Sequence, residues 1–220
     1  ILTDIQRTIA QIEAGKELSS QYIMDRARTI EEASRTANKI TMALLDYARE
    51  TKPEFSWFSI KDSIEMITTL HQSDRKWANV QIVLEEVEID EIFADKRQIE
   101  QVLLNIINNG CEAIERKGGS GIINISIKKK GPHAVISIRD NGIGIPEEDQ
   151  GRIFDPFFTT RGPLGVGLGL SVSYGIVERH GGRIDFEGDQ GKGSTFRVYL
   201  PISKTEKEEK GAIPTQNLNM

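Results

Sequence analysis

The sequence predicts an α+β fold in two parts: an α-helical hairpin, followed by a two-layer sandwich in which one mixed sheet is covered on one face by helices. Two patterns and a boundary carry that expectation. Strand-like alternation and tight turns are interleaved with helical patterns through the middle and end of the chain, which packs as sheet against helix. Residues 1–52 carry apolar positions at helical spacing alone. Pro53 separates the two parts, because the residue before a proline avoids the α region and proline lacks the N–H that a helix needs. The expected division is residues 1–52 as hairpin, 53–202 as sandwich and 203–220 as a polar, disordered tail.

In the first part, Ile1, Ile5, Ile9 and Ile12 mark one helix, and Gly15 ends it. Ser19 or Ser20 can cap a second helix. Its apolar stripe is Ile23, Ala27, Ile30, Ala37, Leu44 and Ala48, widened by Ile40 and Tyr47. A lone hairpin leaves that wide face in water, so the expectation is a homodimer joined in a four-helix bundle. The alternative is a hairpin folded back on its own globular domain.

In the second part, Phe55, Trp57 and Phe58 read as a short strand at the junction, and Ser59 to Gln72 as a helix. Strands are expected at Val80–Val87 and Glu91–Ala94, then a helix from Lys96 to Arg116 that Lys117-Gly-Gly-Ser-Gly121 stops. Ile122–Lys129 and His133–Asp140 alternate across Lys130-Gly-Pro132 as a hairpin, and a helical turn covers Glu147–Arg152. A helix from Leu168 to Arg179 ends at His180-Gly-Gly182, and two further strands, Arg183–Glu187 and Thr195–Leu200, flank the turn Gly191-Lys-Gly193.

Composition narrows the function classes. The chain has 220 residues, 38% hydrophobic and 28% charged, as a globular protein does. No apolar run approaches the roughly 20 residues needed to cross a bilayer, so no membrane contact is expected of this segment. A net charge of -5 leaves no footprint for nucleic acid, and the junction aromatics lack interleaved basic residues. The single cysteine, Cys111, excludes an internal disulfide framework and a multi-cysteine metal site, and it fits a reducing cytoplasm.

Three runs carry the chemistry. Asp140-Asn-Gly-Ile-Gly-Ile-Pro146 ends a strand with two glycines placed for a tight turn and close backbone approach. Gly165-Val-Gly-Leu-Gly-Leu170 precedes a helix whose first N–H groups suit a phosphate. Gln101-Val-Leu-Leu-Asn-Ile-Ile-Asn-Asn-Gly-Cys-Glu-Ala113 is helical, with Asn105 and Asn109 on one face. Each glycine run alone is weak, since ordinary loops look the same.

Together with Phe154-Asp-Pro-Phe-Phe-Thr-Thr160, these runs resemble, in order and spacing, the N, G1, F and G2 boxes of the sensor histidine kinase ATP-binding domain. That domain shares a superfamily with the ATPase domains of gyrase, Hsp90 and MutL. The resemblance covers residues 53–202 and implies ATP and Mg²⁺ as ligands. It assigns Asp140 to the amino group of adenine, a role a carboxylate acceptor at a strand end can fill, while guanine presents a carbonyl there. Gly142 and Gly144 would lie against the purine, with Ile143 and Ile145 as apolar walls.

The same resemblance makes Asn109 the magnesium ligand, with Asn105 beside it in the catalytic pair. Asn105 stands where the gyrase and Hsp90 branches carry a water-activating glutamate, and an amide cannot take that proton. Gly165, Val166, Gly167, Leu168, Gly169 and Leu170 would line the triphosphate. Thr160 and Arg161 would stand beside it. Arg161 either pairs with the γ-phosphate or stays solvated, and Phe154, Phe157 and Phe158 clamp the base of a small lid. At Gly110 the family more often has alanine, which points to a close backbone approach by a partner the sequence does not name.

In the family, phosphate goes first to a histidine in a His-acidic-x-x-Asn-x-Leu-Thr box. Ile1-Leu-Thr3 resembles the end of such a box, which places the acceptor roughly five residues before Ile1. His71, His133 and His180 are expected to be structural. The resemblance therefore implies the cytoplasmic core of a two-component kinase, free or belonging to a membrane-anchored sensor. Such a core passes the γ-phosphoryl of ATP to a histidine and on to an aspartate of a response-regulator receiver domain. This chain is expected to bind nucleotide without phosphorylating itself. Two other classes stay open: a hydrolytic ATPase switch, and a non-catalytic module that ATP merely stabilises.

Overall fold

The computed structural model describes residues 2–15, 18–48, 52–160 and 165–202. Ile1, Arg161, the tail from residue 203, and the side chains of Ile40, Leu44, Tyr47 and Ala48 lie outside the described part. The chain divides into two units, Ile1–Glu50 with Thr159–Val166, and Thr51–Phe158 with Gly167–Met220.

The first unit holds helices α1 (Leu2–Glu13) and α2 (Ser20–Ala48). Of the two candidate caps, Ser19 is used: its Oγ accepts the Tyr22 N–H at 3.2 Å, satisfying one of the orphan donors of α2. Gly15 adopts the left-handed conformation that ends α1, with φ of 73°. Thr8 Oγ1 and the Tyr22 hydroxyl, 3.4 Å apart, join the two helices. Ile9, Ile12, Ile23, Met24 and Ile30 are exposed on this hairpin.

The second unit runs β1 (Ser56–Ser59), α3 (Ile60–Ser73), a 3₁₀ turn (Arg75–Trp77), β2 (Val80–Val87), β3 (Glu91–Ala94) and α4 (Lys96–Lys117). It continues with β4 (Gly121–Lys130), β5 (His133–Asp140), α5 (Glu147–Gln150), α6 (Gly169–Arg179), β6 (Arg183–Asp189) and β7 (Gly193–Pro201). Five strands form one sheet in the order β2-β4-β5-β7-β6. Only the β2–β4 pairing is parallel; the rest are antiparallel, so the sheet is mixed as expected.

The remaining two strands depart from the single-sheet expectation. β1 pairs with β3 as a separate antiparallel ribbon, from Ser56↔Ala94 to Ser59↔Glu91. Asp90 clamps its open end: its carboxylate accepts the Ser59 hydroxyl at 2.6 Å and the Lys61 N–H at 3.2 Å, while its carbonyl takes the Ile60 N–H at 2.8 Å. A side-chain clamp between segments thirty residues apart leaves no periodic trace, which is why the sequence does not announce the ribbon.

Alternation sorts the sheet into two faces. Ile123, Ile125 and Ile127 of β4, Ala134, Ile136 and Ile138 of β5, and Phe196, Val198 and Leu200 of β7 are buried against the helices. Their neighbours Asn124, Ser126, Ser137, Arg139, Thr195 and Arg197 face the other way. From α4 come Ile99, Val102, Leu103, Ile106, Ile107, Cys111 and Ile114, all buried. Each fully buried isoleucine contributes roughly 2 kcal/mol. Burial pushes the Cys111 thiol up to about 12, so it packs as a small apolar group.

The two helices that position the candidate site are tied together at Asp95. Its Oδ1 accepts the Gln98 N–H at 3.1 Å and so caps α4, and its Oδ2 accepts the Glu54 N–H at 2.9 Å, where the chain enters the unit. The Asp95 N–H in turn donates to His180 Nε2 at 3.0 Å, at the C-terminal end of α6. Because Nε2 accepts, the proton of neutral His180 sits on Nδ1, which donates to the Ile176 carbonyl at 2.8 Å. Phe55 covers this junction, its ring centroid 5.0 Å from that of His180. Replacing Asp95 by alanine removes the cap and strands the Glu54 N–H, and is expected to cost about 2 kcal/mol. A urea denaturation curve checks this: the midpoint should fall with an unchanged slope, and an unshifted midpoint would show that neither bond matters.

Candidate functional site

The site is built along one stripe of α4. Asn105, Asn109 and Ala113 follow at four-residue intervals and share a face. The two ends of the stripe are fixed by different neighbours, and with a rise of about 1.5 Å per residue they lie about 12 Å apart. At the first end, Asn105 Nδ2 donates to the Gly169 carbonyl at 3.1 Å and to Ser173 Oγ at 3.2 Å. Ser173 Oγ also donates to the Gly169 carbonyl at 2.9 Å. The amide thus pins α4 to the first turn of α6. That turn follows Leu168, which is buried, and no side chain caps it.

At the other end, the loop after β5 docks on Ala113, whose carbonyl accepts the Ile143 N–H at 3.2 Å. A Cβ on Gly142 would stand 2.7 Å from the Ala113 Cβ and carbonyl carbon, so only glycine allows this approach. Gly144, with φ of 68°, meets the Asp189 carbonyl in the same way: a Cβ there would lie 1.9 Å from that oxygen. The requirement for glycine at both positions is therefore set by packing within the protein, whatever lies against their other side. Gly110 finds its partner here too. A Cβ on it would come within 3.0 Å of Ile123 Cδ1 and 3.3 Å of Asp140 Cβ, so the strand end bearing the carboxylate lies directly against α4.

Asp140 is 5% exposed. Its Oδ1 accepts the Gly142 N–H at 2.8 Å. Burial raises its carboxyl above the usual range, and the backbone N–H groups of Gly142 and Ser194 oppose that shift. Ile145 is half-buried at the edge of the core, and Leu170 packs there as well. Asn109 occupies the middle of the stripe, between the Asn105–Gly169 end and the Ala113–Ile143 end.

The second glycine run is divided between the units. Gly167, with φ of 70°, nests against the backbone of Phe157 and Phe158, where a Cβ would lie 2.4 Å from the Phe157 carbonyl carbon. Phe157 itself takes a left-handed φ of 67° and is exposed, whereas Phe158 packs on the core. Thr160, Gly165 and Val166 belong to the first unit and are left out of this constellation. Arg161 lies outside the described residues.

Three contributors were missed in the sequence. The turn Gly191-Lys-Gly193 reads from the sequence only as a turn, yet the Gly191 N–H donates to the Ile143 carbonyl at 2.6 Å, and Gly193 at φ 98° leaves room for the Asp140 carbonyl. Lys117, seen as part of a helix stop, reaches the Asn141 carbonyl at 2.7 Å. Gln150 reaches the Ile145 carbonyl at 3.2 Å. The glycines flanking Lys192 were the one available signal. A concavity of about 700 Å³ opens on the polar face of the sheet, among Asn124, Arg139, Thr195 and Glu187, and reaches Asp140 and Gln150 at its end. Its charges are largely self-paired, Arg197 with Glu187 and Lys192 with Asp189. The α4 stripe lies on the helical side of the sheet, and there the three motif runs meet.

Residues 94–204 match the family described as histidine kinase-, DNA gyrase B-, and HSP90-like ATPases. The chain is 35% identical over 169 residues to sporulation kinase C of Bacillus subtilis (strain 168), covering 74% of this chain and 39% of that protein. It is 35% identical over 175 residues to the sensor histidine kinase ZraS of Escherichia coli (strain K12), covering 79% of this chain and 37% of that one. The chain thus spans under two-fifths of the length of these two curated relatives. Among solved structures, the catalytic domain of histidine kinase ThkA superposes with a TM-score of 0.59 at 32% identity, covering 69% of this chain and 99% of that domain. Histidine kinase ThkA in complex with the response regulator TrrA aligns with a TM-score of 0.72 at 28% identity, over 92% of this chain and 57% of that one. With its Asn-bearing helix, buried strand-end aspartate and glycine-led α6 in one unit, the chain belongs to the histidine kinase-, DNA gyrase B- and HSP90-like ATPase family, on its sensor histidine kinase branch.

Proposed function

We propose that this chain is the core of a sensor histidine kinase: residues 53–202 bind ATP with Mg²⁺, and the γ-phosphoryl passes to a histidine and then to an aspartate of a response regulator. The observation that carries this reading is the α4 stripe. Its two ends are held by Gly169 and by the Asp140 loop, about 12 Å apart, and an extended nucleotide triphosphate matches that span. Asp140 accepts from the adenine amino group at one end, and the uncapped first turn of α6 faces the phosphates at the other.

Asn109, between them, is the candidate Mg²⁺ ligand. Mg²⁺ bound with a nucleotide is carried mainly by phosphate oxygens and water, so a single protein oxygen suffices. When bound, Mg²⁺ would neutralise charge developing on the phosphates. On the family resemblance alone, Thr160, Arg161, Gly165 and Val166 are proposed as further nucleotide-binding residues. Asn105 favours transfer over hydrolysis, because a carboxamide whose Nδ2 is already donating to Gly169 and Ser173 offers no base for water.

The hairpin, residues 1–52, is proposed to dimerise, its exposed Ile9, Ile12, Ile23, Met24 and Ile30 meeting a second copy. The solved complex of ThkA with a response regulator supports a receiver domain as the second partner. No described helix is long and apolar enough to cross a membrane.

Titration calorimetry tests the site. The chain should bind ATP, and Asp140→Asn should weaken binding at least about tenfold. Because burial raises the Asp140 carboxyl, the folded state favours its neutral form. That contribution to stability is full below the unfolded pKa and is lost as pH rises through the folded one. Removing the charge should therefore leave the thermal midpoint at neutral pH no lower. ATP affinity of the native chain should fall as pH drops through the raised value, while that of the Asp140→Asn variant stays flat. Equal affinities for both proteins would defeat the assignment.

Phosphoryl transfer gives a second test. His71 has both ring nitrogens engaged, Nδ1 at 3.0 Å from the Ile67 carbonyl and Nε2 at 2.9 Å from Asn108 Oδ1, and His180 is held as described above. Neither offers an attacking nitrogen, and His133 is half-buried beside the Tyr199 ring. Incubation with γ-labelled ATP should leave no stable label on this chain. Retained label on any of the three histidines would contradict the proposal.

A further inference from the structure

The loop that carries Asp140 is held against the β6–β7 hairpin in an unusual way. The two segments meet mainly through backbone: Gly144 against the Asp189 carbonyl, Gly193 against the Asp140 carbonyl, and the Gly191 N–H on the Ile143 carbonyl at 2.6 Å, with the Ser194 N–H on the Asp140 carboxylate as well. Contacts between glycines bury little apolar area, and glycine is the residue with most conformational freedom to lose. Packing alone therefore holds this seam weakly.

Two side chains from outside the seam bridge it, one at each end. Lys117 Nζ, at the last turn of α4, donates to the Asn141 carbonyl at 2.7 Å and to the Gly191 carbonyl at 3.2 Å. Gln150 Nε2, at the last turn of α5, donates to the Ile145 carbonyl at 3.2 Å and to the Gly188 carbonyl at 2.9 Å. Each nitrogen thus takes one carbonyl from the Asp140 loop and one from the hairpin. Lys117 is exposed and Gln150 half-buried, and neither belongs to the hydrophobic core, so the core gives no reason for either.

We infer that Lys117 and Gln150 are positioning residues that staple the β6–β7 hairpin to the Asp140–Pro146 loop and so set the shape of the base-binding end of the site. The inference rests on the proposed function for the identity of the ligand. It assigns neither residue a contact with nucleotide. With the staples in place, Asp140 presents its carboxylate from a loop closed at Asn141 and at Ile145. Without them, the glycine-rich loop and turn separate, and the carboxylate is no longer aimed at one edge of a purine.

The experiment compares Lys117→Met, Gln150→Leu and the double variant, each binding ATP and GTP with Mg²⁺ in calorimetry. Methionine and leucine keep the stems and the helical propensity while removing the donors. Each single variant should weaken ATP binding roughly threefold and the double roughly tenfold, from the typical strength of the hydrogen bonds lost. The ratio of ATP to GTP affinity should fall with them, and the thermal midpoint should hold. Lys117→Arg, which keeps two parallel donors, should restore most of the ratio. Lys61→Met removes an exposed lysine that pairs with Glu65 on α3, away from the seam, and should leave both affinities alone.

Native ATP affinity and native discrimination in the double variant would overturn the inference. So would a loss of affinity that tracks a lowered thermal midpoint with the ATP to GTP ratio unchanged, since that is what a purely structural role produces. If the native chain itself bound neither nucleotide, the proposed function would fail at the parent protein and this inference with it.

Discussion

Everything in the candidate site depends on how closely the end of β5 can approach α4. Gly110 on the helix and Gly142 on the loop each lack the one carbon that would hold the two apart. Their absence lets Asp140 sink to near-complete burial beside the helix, and lets Ile143 bond to the Ala113 carbonyl. A carboxylate buried this way is held above its ordinary pKa, with backbone N–H groups as its main compensation. Such a group is costly unless it has a partner to serve, and the proposed nucleotide supplies one.

The same helix organises the rest. Its N-terminus is capped by Asp95, which also receives the entering chain at Glu54 and links through His180 to the far end of α6. Its middle is bonded by Asn105 to the first turn of α6. Its last turn reaches over the Asp140 loop through Lys117. Three successive levels of α4 thus fix three other segments, so small movements of this helix would be felt at both ends of the proposed nucleotide site. Its apolar side, almost entirely isoleucine, leucine and valine, fills the layer between sheet and helices and resists such movement.

Much of this was legible from residue order. Alternating isoleucines located β4 and β5 to within a residue, and four-residue spacing placed Asn105 and Asn109 on one face, because both periodicities are properties of the backbone itself. The order of the motif runs identified the family. What escaped notice was contact between distant segments. Gly110 on α4 announces a close approach without saying to what, and the answer, Ile123 and Asp140, lies on two strands of the sheet. The glycines of Asp140–Pro146 read as an opening for a ligand, whereas Ala113 and Asp189 already occupy the space beside them. Lys117 and Gln150 read as a helix stop and a surface turn because a long polar side chain shows its partner only in three dimensions. The β1–β3 ribbon escaped for the same reason, being set by Asp90.

The claim that the α4 stripe is the floor of one nucleotide site can be tested residue by residue. Backbone amide resonances should be followed by NMR while a non-hydrolysable ATP analogue and Mg²⁺ are added. The account predicts that Asn105, Asn109, Gly142 and Gly169 shift together along a single saturating curve. Shifts confined to Asn124, Arg139 and Thr195 on the polar face of the sheet, or none at saturating ligand, would contradict it.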